Sequence, residues 1–187
     1  YPLTIEEGTV LSQQINSGEI SPVPEEIELK MFTQCTQLLT ESGFTQYEVA
    51  HFSKMGKECR HNQHYWNLEP YLAFGPSAHG YDGKKRWWNV SSLDEYLNAL
   101  SNNKNSVSGF ETLSSSDRFN EAVIYGLRTN GGISTAVLQK HEHNGSIEAS
   151  LKRWGKYLDI SSDAIRMKPG NYHLADEIVS EMLISDC

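Results

Sequence analysis

The sequence predicts an α/β protein in two parts, with a strand–helix–strand first half and a smaller α+β second half. Three observations support this prediction. An apolar helical repeat lies between two strand-like segments, a turn signal stands at Asp82-Gly83, and a series of capped helices follows residue 115. We place the boundary in a polar connection rich in Asn and Ser, which divides the chain into residues 1–105 and 106–187.

The first half is predicted to begin with a strand at Tyr1–Glu6 and to continue into a helix after Pro24. The fixed φ of proline and the acidic side chains of Glu25 and Glu26 suit a helical first turn. One apolar face is expected at helical spacing, and Gly43 then ends the helix. Phe44–Val49 follows as a strand, which completes a βα unit of a parallel sheet. The expected face is formed by Ile27, Met31, Cys35, Leu38 and Leu39.

The middle of the chain predicts a second strand, an irregular hairpin and a helix. Tyr71–Gly75 is an apolar strand candidate, and the hairpin joins Phe74–Tyr81 to Lys84–Val90 around Asp82-Gly83. Ser92 and Glu95 fit a capping box that opens a helix reaching about Leu100. Residues 101–115 are expected to be a surface connection.

The second half predicts three helices, a hairpin and a closing helix, which is the outline of a winged-helix-like domain. The first three helices are expected at Asp117–Leu127, from Ser134 to near His141, and from Ser146 through Leu158. The hairpin would join residues 164–168 to 172–174 through Pro169-Gly170-Asn171, and Asp176 would cap the last helix.

Composition restricts the class of protein. The 187 residues are 38% hydrophobic and 21% charged, which is ordinary for a globular chain, and the net charge of −8 argues against a main role in binding nucleic acid. No apolar run is long enough to span a membrane, and no signal peptide is recognisable. The widely spaced Cys35, Cys59 and Cys187 match neither a disulfide scaffold nor a local metal motif. We therefore expect a reducing, cytoplasmic compartment.

The segment Arg60–Trp66, with the sequence RHNQHYW, is the strongest candidate site. It offers imidazole nitrogens to a metal and flat aromatic rings to a planar ligand. The alternative from residue types alone is a structural loop, in which the histidines bond backbone carbonyls and Trp66 belongs to the core.

This segment belongs to a longer string that resembles a known family. Tyr47–Ser53, Cys59–Asn62, Tyr65-Trp66 and Tyr71–Gly80 occur in the order typical of the C-terminal half of HemW-type haem chaperones. These are radical-SAM proteins related to oxygen-independent coproporphyrinogen III oxidase. The resemblance implies the last part of a partial (β/α) TIM-like barrel. It also implies a longer parent that holds a [4Fe–4S] cluster and S-adenosylmethionine through an upstream CxxxCxxC loop, and the chain is therefore expected to be a fragment.

The resemblance also implies site residues. The HNxxYW motif predicts haem contacts for His61, Asn62, Tyr65 and Trp66, with His61 as the metal ligand, whereas His64 stands at a variable position. A GxGxxA-like loop predicts cofactor contacts for three further residues of the chain: Gly75, Ala78 and His79. Ala73 and Ser77 depart from the usual glycines of that loop.

Other candidates carry less weight. A YxLxxExGT-like segment at the start of the chain offers Glu6 and Thr9 to a cofactor, although packing explains it as well. Glu48 is expected to be buried against Arg60 or a backbone amide. His141 and His143 form a pair that is more typical of solvated surface histidines.

Three functions remain open at this point. The first is a haem chaperone that binds haem or a porphyrin and passes haem to an acceptor apo-protein. The second is an oxygen-independent coproporphyrinogen III dehydrogenase, and the third is a non-enzymatic winged-helix module that binds a partner or nucleic acid. The fragment alone is expected to be inactive in radical chemistry, and an open sheet edge favours a homodimer.

Overall fold

The computed structural model describes residues 3–140 and 145–185, and these form a mixed α/β structure. Helices α1 (Val10–Asn16) and α2 (Glu25–Glu41) come first, followed by strands β1 (Thr45–Glu48) and β2 (His51–Ser53). The helix predicted after Pro24 is confirmed, and Gly43 adopts a φ of +76° just beyond it. This is the left-handed conformation that glycine adopts without a steric penalty.

The expected first strand and the expected parallel pairing are both wrong. Residues Leu3–Glu6, the described part of the expected first strand, have no regular structure. β1 pairs antiparallel with β2 instead of forming a parallel βα unit. Only two residues separate the two strands, and a connection this short can join only antiparallel neighbours.

The side of α2 that contacts the rest of the chain is not the expected one. Met31 and Leu38 are 56% and 64% exposed, whereas Phe32 is partly buried and its ring centroid lies 6.5 Å from that of His173. The periodicity therefore identified the helix correctly but assigned the wrong side to the interior.

The middle of the chain contains helix α3 (Arg60–Trp66), strands β3 (His79–Tyr81) and β4 (Lys85–Asn89), helix α4 (Leu93–Ser101) and strand β5 (Val107–Thr112). The hairpin around Asp82-Gly83 is confirmed as β3 and β4, and Ser92 Oγ accepts a hydrogen bond from the backbone N–H of Glu95 at the start of α4. Tyr71–Gly75 is not a strand, because only Tyr71 forms a bridge, to Tyr81.

The expected surface connection at residues 101–115 contains β5, which pairs antiparallel with β4. Sequence periodicity misses this strand because Gly109 interrupts it. A Cβ atom at Gly109 would lie 2.6 Å from the ring of Trp88, so the close approach of that indole requires glycine. The sheet β3-β4-β5 therefore continues across the predicted boundary at residues 105–106.

The second half folds around the main hydrophobic core. Its elements are α5 (Ser115–Arg128), β6 (Ile133–Ser134), α6 (Thr135–Gln139), α7 (Gly145–Trp154), β7 (Leu158–Ile160), β8 (Ala164–Met167) and α8 (Ala175–Met182). The predicted helices are present. The buried cluster includes Phe119, Val123, Leu127, Ile133, Ile178 and Met182.

The hairpin of the second half lies earlier in the chain than predicted. β7 pairs with β8, so Leu158 belongs to a strand and not to the preceding helix. Tyr172–Leu174 is a single 3-10 turn, which leads directly into α8. Asp176 lies in the first turn of α8 and does not cap it; its carboxylate pairs with Arg128. His141 and His143 lie outside the described residues.

Backbone hydrogen bonds join the two halves. The N–H of Val49 donates to the carbonyl of Arg128 at 3.0 Å, and the N–H of Asn130 donates to the carbonyl of Tyr47 at 3.0 Å. The end of β1 is thus attached to the end of α5, and this attachment is the joint between the two halves.

Candidate functional site

The candidate site is built on α3, where the sequence alone suggested a loop. The seven residues RHNQHYW form the helix, and its start is held by Tyr47, whose Oη accepts a hydrogen bond from the N–H of Cys59 at 3.3 Å. The helix ends at Asn67, and the next residue, Leu68, has a φ of +56°. The helical conformation fixes which side chains of the segment lie together.

The motif residues occupy two sides of the helix, because residues four apart lie on the same side. His61 and Tyr65 are exposed, with ring centroids 5.0 Å apart. Asn62 and Trp66 are partly buried and contact other elements. Asn62 Nδ2 donates a hydrogen bond to Nε2 of His51 at 3.4 Å, and the ring of Trp66 lies 5.4 Å from that of Tyr125 on α5.

Two histidines of α3, His61 and His64, and His51 on β2 differ in the hydrogen bonds that their ring nitrogens form. His64 bonds the carbonyl oxygen of Pro70 at 2.9 Å and pairs with Glu69 at 2.8 Å. His51 bonds Glu48 and Asn62. Within residues 3–140 and 145–185, neither ring nitrogen of His61 has a hydrogen-bond partner, so of these three histidines it is His61 that presents a free imidazole to an incoming metal.

An open cleft lies along α3. Its volume is about 450 Å³, which is within the range of roughly 300–1,000 Å³ typical of small-molecule sites. One cation, Arg60, and one carboxylate, Glu69, line it. The complete lining is Arg60, His61, Gln63, His64, Asn67 and Glu69.

Tyr65 continues into an aromatic row. Its ring centroid lies 4.7 Å from that of Tyr71, which in turn lies 6.0 Å from that of Tyr81. The guanidinium of Arg86 lies 5.7 Å from the ring of Tyr81. One side of the exposed pair on α3 is therefore supported by packed rings.

An ion pair that sequence reasoning missed anchors this row. Arg86 Nη2 lies 2.7 Å from Oε1 of Glu121 on α5, and Arg86 Nη1 lies 3.6 Å from Oε1 of Glu111 on β5. Burial raises the pKa of Tyr81 and of Tyr125, and the negative charge of Glu121 raises both further. Nothing near Arg86 in the sequence indicates Glu121 as its partner, because the two residues are 35 positions apart.

Glu48 is buried, as expected, but its partner differs from the expected one. It is 4% exposed, and its carboxylate accepts a hydrogen bond from Nδ1 of His51 instead of pairing with Arg60. The buried carboxylate of Glu48 is thus connected to α3 through His51, which is hydrogen-bonded to Asn62.

The loop from Gly75 to Gly80 uses its backbone amides internally. The N–H of Gly75 donates to Tyr96 Oη at 3.0 Å, that of Ser77 to the carbonyl of Val90 at 2.9 Å, and that of Ala78 to the carbonyl of Gly75 at 3.3 Å. These amides do not fit the role of donors to a cofactor. Contacts of Gly75, Ala78 and His79 with S-adenosylmethionine stay a prediction, and they would have to use other atoms.

The described residues hold no group of three or more His, Cys, Asp or Glu side chains that could share a metal ion. Cys35 and Cys59 are exposed free thiols, Cys187 lies outside the described residues, and the chain contains no CxxxCxxC motif. The residues that the structure describes therefore do not fit an iron–sulfur cluster. In the described part of the chain, no helix combines the length and the apolar character that crossing a membrane requires.

Comparison with curated proteins identifies relatives along nearly the whole chain. It is 32% identical to the haem chaperone HemW of Mycobacterium tuberculosis over 183 residues, which cover 98% of this chain and 46% of that protein. HemW of Bacillus subtilis is 31% identical over 134 residues, which cover 72% of this chain and 35% of that protein.

The chain is HemW-like. It corresponds to the C-terminal part of HemW-type proteins, as the motif string predicted, and it spans about half the length of the curated relatives that it matches. A further relative is radical S-adenosyl methionine domain-containing protein 1, mitochondrial, of Danio rerio. It is 30% identical over 95% of this chain and 40% of that protein. No protein-family model matches the chain.

Solved structures support the same fold for this HemW-like chain. The radical SAM enzyme HemN, coproporphyrinogen III oxidase of Escherichia coli, aligns with a TM-score of 0.66 over 86% of this chain and 41% of that one. The sequence identity is 19%, so this likeness concerns the fold alone.

Proposed function

We propose that this chain forms the haem-binding part of a HemW-type haem chaperone, and that the full protein transfers haem to an acceptor apo-protein. The observation that carries the proposal is the exposed pair His61 and Tyr65 on α3, beside an open cleft, with His61 free of hydrogen-bond partners among the described residues.

The chemistry of the pair suits haem as a cargo. A neutral imidazole nitrogen is an ordinary ligand of haem iron, and His61 can offer one without breaking a hydrogen bond to another described residue. Tyr65 offers an aromatic surface to the porphyrin ring. Arg60 lines the same cleft, where its planar guanidinium can pair with a haem propionate.

The other parts of the protein enter the proposal as follows. S-adenosylmethionine and a [4Fe–4S] cluster belong to the full-length parent. The division into the last part of a TIM-like barrel at residues 1–105 and a winged-helix-like domain at residues 106–187 stays a prediction, and the sheet β3-β4-β5 crosses that boundary. The order α5, β6, α6, α7, β7, β8 and α8 supports the second assignment. A homodimer and a cytoplasmic location stay predictions.

Haem titration tests the proposal. The wild-type chain, His61→Ala and His64→Ala are titrated with ferric haem, and the Soret absorbance is followed. His64 is the matched control, because it lies on the same helix and lines the same cleft but has both ring nitrogens bonded. We expect His61→Ala to weaken binding at least tenfold and to shift the Soret maximum, and His64→Ala to bind within about threefold of wild type.

The outcomes separate the parts of the proposal. If the wild-type chain binds haem no more tightly than a control protein of similar size that has no haem site, haem binding by this chain is refuted. Equal spectra and affinities for the wild type and His61→Ala would remove His61 as the iron ligand, and a spectral shift only in His64→Ala would transfer that role to His64.

The porphyrinogen dehydrogenase alternative is not favoured. Relatives that match with at least 30% identity include proteins named haem chaperone and radical S-adenosyl methionine domain-containing protein, whereas the oxidase of Escherichia coli is similar in fold alone. The net charge of −8 counts against the nucleic-acid alternative, because phosphate binding needs clustered cations.

A further inference from the structure

A line of three polar side chains runs from the inner side of α3 to the joint between the two halves. Asn62 Nδ2 donates a hydrogen bond to Nε2 of His51, and Nδ1 of His51 donates one to Oε2 of Glu48. Glu48 is buried and its backbone forms an antiparallel bridge with Thr129, directly after α5. The line therefore connects α3 with the part of the molecule where β1 and α5 meet.

The two hydrogen bonds of His51 depend on each other. An amide nitrogen is only a donor, so Nε2 of His51 must present its lone pair to Asn62. A neutral imidazole with a free lone pair on Nε2 carries its hydrogen on Nδ1, and that hydrogen is the one Glu48 accepts. The hydrogen bond to Glu48 thus favours the tautomer of His51 that can accept a hydrogen bond from Asn62.

Groups from both halves surround the line. The ring of Tyr47, which also holds the start of α3, lies 6.1 Å from that of His51. From the second half, Tyr172 faces the same carboxylate. Burial, together with the negative charge of Glu48, raises the pKa of Tyr172 to about 12. Residues from both halves of the chain therefore lie around Glu48 and His51.

We infer that Asn62 is a positioning residue of the haem site, which acts through His51 and Glu48 to hold α3 in the orientation that presents His61 and Tyr65. Side chains of successive helical residues point about 100° apart, so Asn62 lies on a different side of α3 from His61. The inference rests on the proposed function. It replaces the direct haem contact that the motif suggested for Asn62.

A matched pair of substitutions at His51 tests the inference. His51→Gln places an amide oxygen near the position of Nε2, so it still accepts from Asn62 but loses Glu48. His51→Asn places its amide near the position of Nδ1, so it keeps Glu48 but cannot reach Asn62. Asn62→Ala removes the same contact from the other side.

The two His51 variants should rank in opposite order for stability and for haem affinity. His51→Gln leaves the buried Glu48 without its partner and should lower the melting temperature more than His51→Asn does. His51→Asn and Asn62→Ala should weaken haem binding by about threefold to tenfold, and His51→Gln by less than about twofold. The Soret maximum should stay at the wild-type wavelength in all three, because His61 is unchanged.

Hydrogen exchange in the haem-free chain provides an independent measurement. The α3 amides of Gln63 and Asn67, which donate to the carbonyls of Cys59 and Gln63, should exchange faster in His51→Asn than in His51→Gln. This measurement reports on the positioning role even if the wild-type chain fails to bind haem, which would refute the proposed function instead.

Two results would overturn the inference. One is haem affinity that simply follows stability across the three variants, since that pattern indicates a general structural role. The other is a shifted Soret maximum in Asn62→Ala with unchanged α3 exchange, which would mean that Asn62 acts on the haem directly.

Discussion

Replacing Arg86 by methionine should destabilise the chain strongly, because it leaves the carboxylate of Glu121 buried without a counter-ion. Oε2 of Glu121 already has no hydrogen-bond partner among the described residues, and Oε1 would lose its 2.7 Å contact with Arg86. Breaking a buried pair by removing one partner costs about 3–5 kcal/mol. The side chains are 20% and 12% exposed, so partial hydration places the loss near the lower end. We therefore expect Arg86→Met to lower the free energy of unfolding by roughly 3 kcal/mol at pH 7.

Urea denaturation at pH 7 measures this effect. Glu111→Gln is the control, because Glu111 also faces Arg86 but is 50% exposed and lies 3.6 Å away, so we expect less than about 1 kcal/mol. The double variant Arg86→Met with Glu121→Met should recover most of the loss, since no charge then stays buried. A loss below about 1 kcal/mol for Arg86→Met, or no recovery in the double variant, would refute the reasoning.

Two further predictions concern stability. The pKa of Tyr172 is raised to about 12 from an ordinary 10, so its contribution is complete below pH 10 and is lost as the pH rises towards 12. Tyr172→Phe should therefore flatten the fall in unfolding free energy over this range by roughly 2–3 kcal/mol, and an unchanged slope would contradict the assignment. Gly80→Ala places a Cβ atom 2.2 Å from the ring of Trp87, which must move away, so we expect a loss of about 1–3 kcal/mol in urea denaturation. An unchanged midpoint together with unchanged tryptophan fluorescence would show that the ring does not lie where the structure has it.

Local signals in the sequence predicted several elements correctly. Pro24 followed by two glutamates predicted the start of α2, Asp82-Gly83 predicted the hairpin, and Ser92 predicted the start of α4. These signals depend on the backbone preferences of a few adjacent residues, so they survive whatever the rest of the chain does.

Other elements could not be predicted because their stability comes from distant contacts. β5 carries Gly109, and it forms a strand because Trp88 of β4 covers that glycine. Helix α3 has seven residues and no apolar repeat, and Tyr47 holds its start from twelve positions earlier in the chain. The inner side of α2 depends on where the 3-10 turn at His173 lies.

The sequence by itself determined the family and the motif, because a short string such as HNQHYW can be recognised without coordinates. It also determined which residues could bind a metal or stack on a ring. Only the tertiary structure decided how those residues divide: His61 and Tyr65 are exposed on one side of α3, where His61 lines the cleft, and Asn62 and Trp66 face inward. The physical reason is that a side chain's role depends on its neighbours in space, and His51, Tyr125 and Glu121 reach the site only through folding.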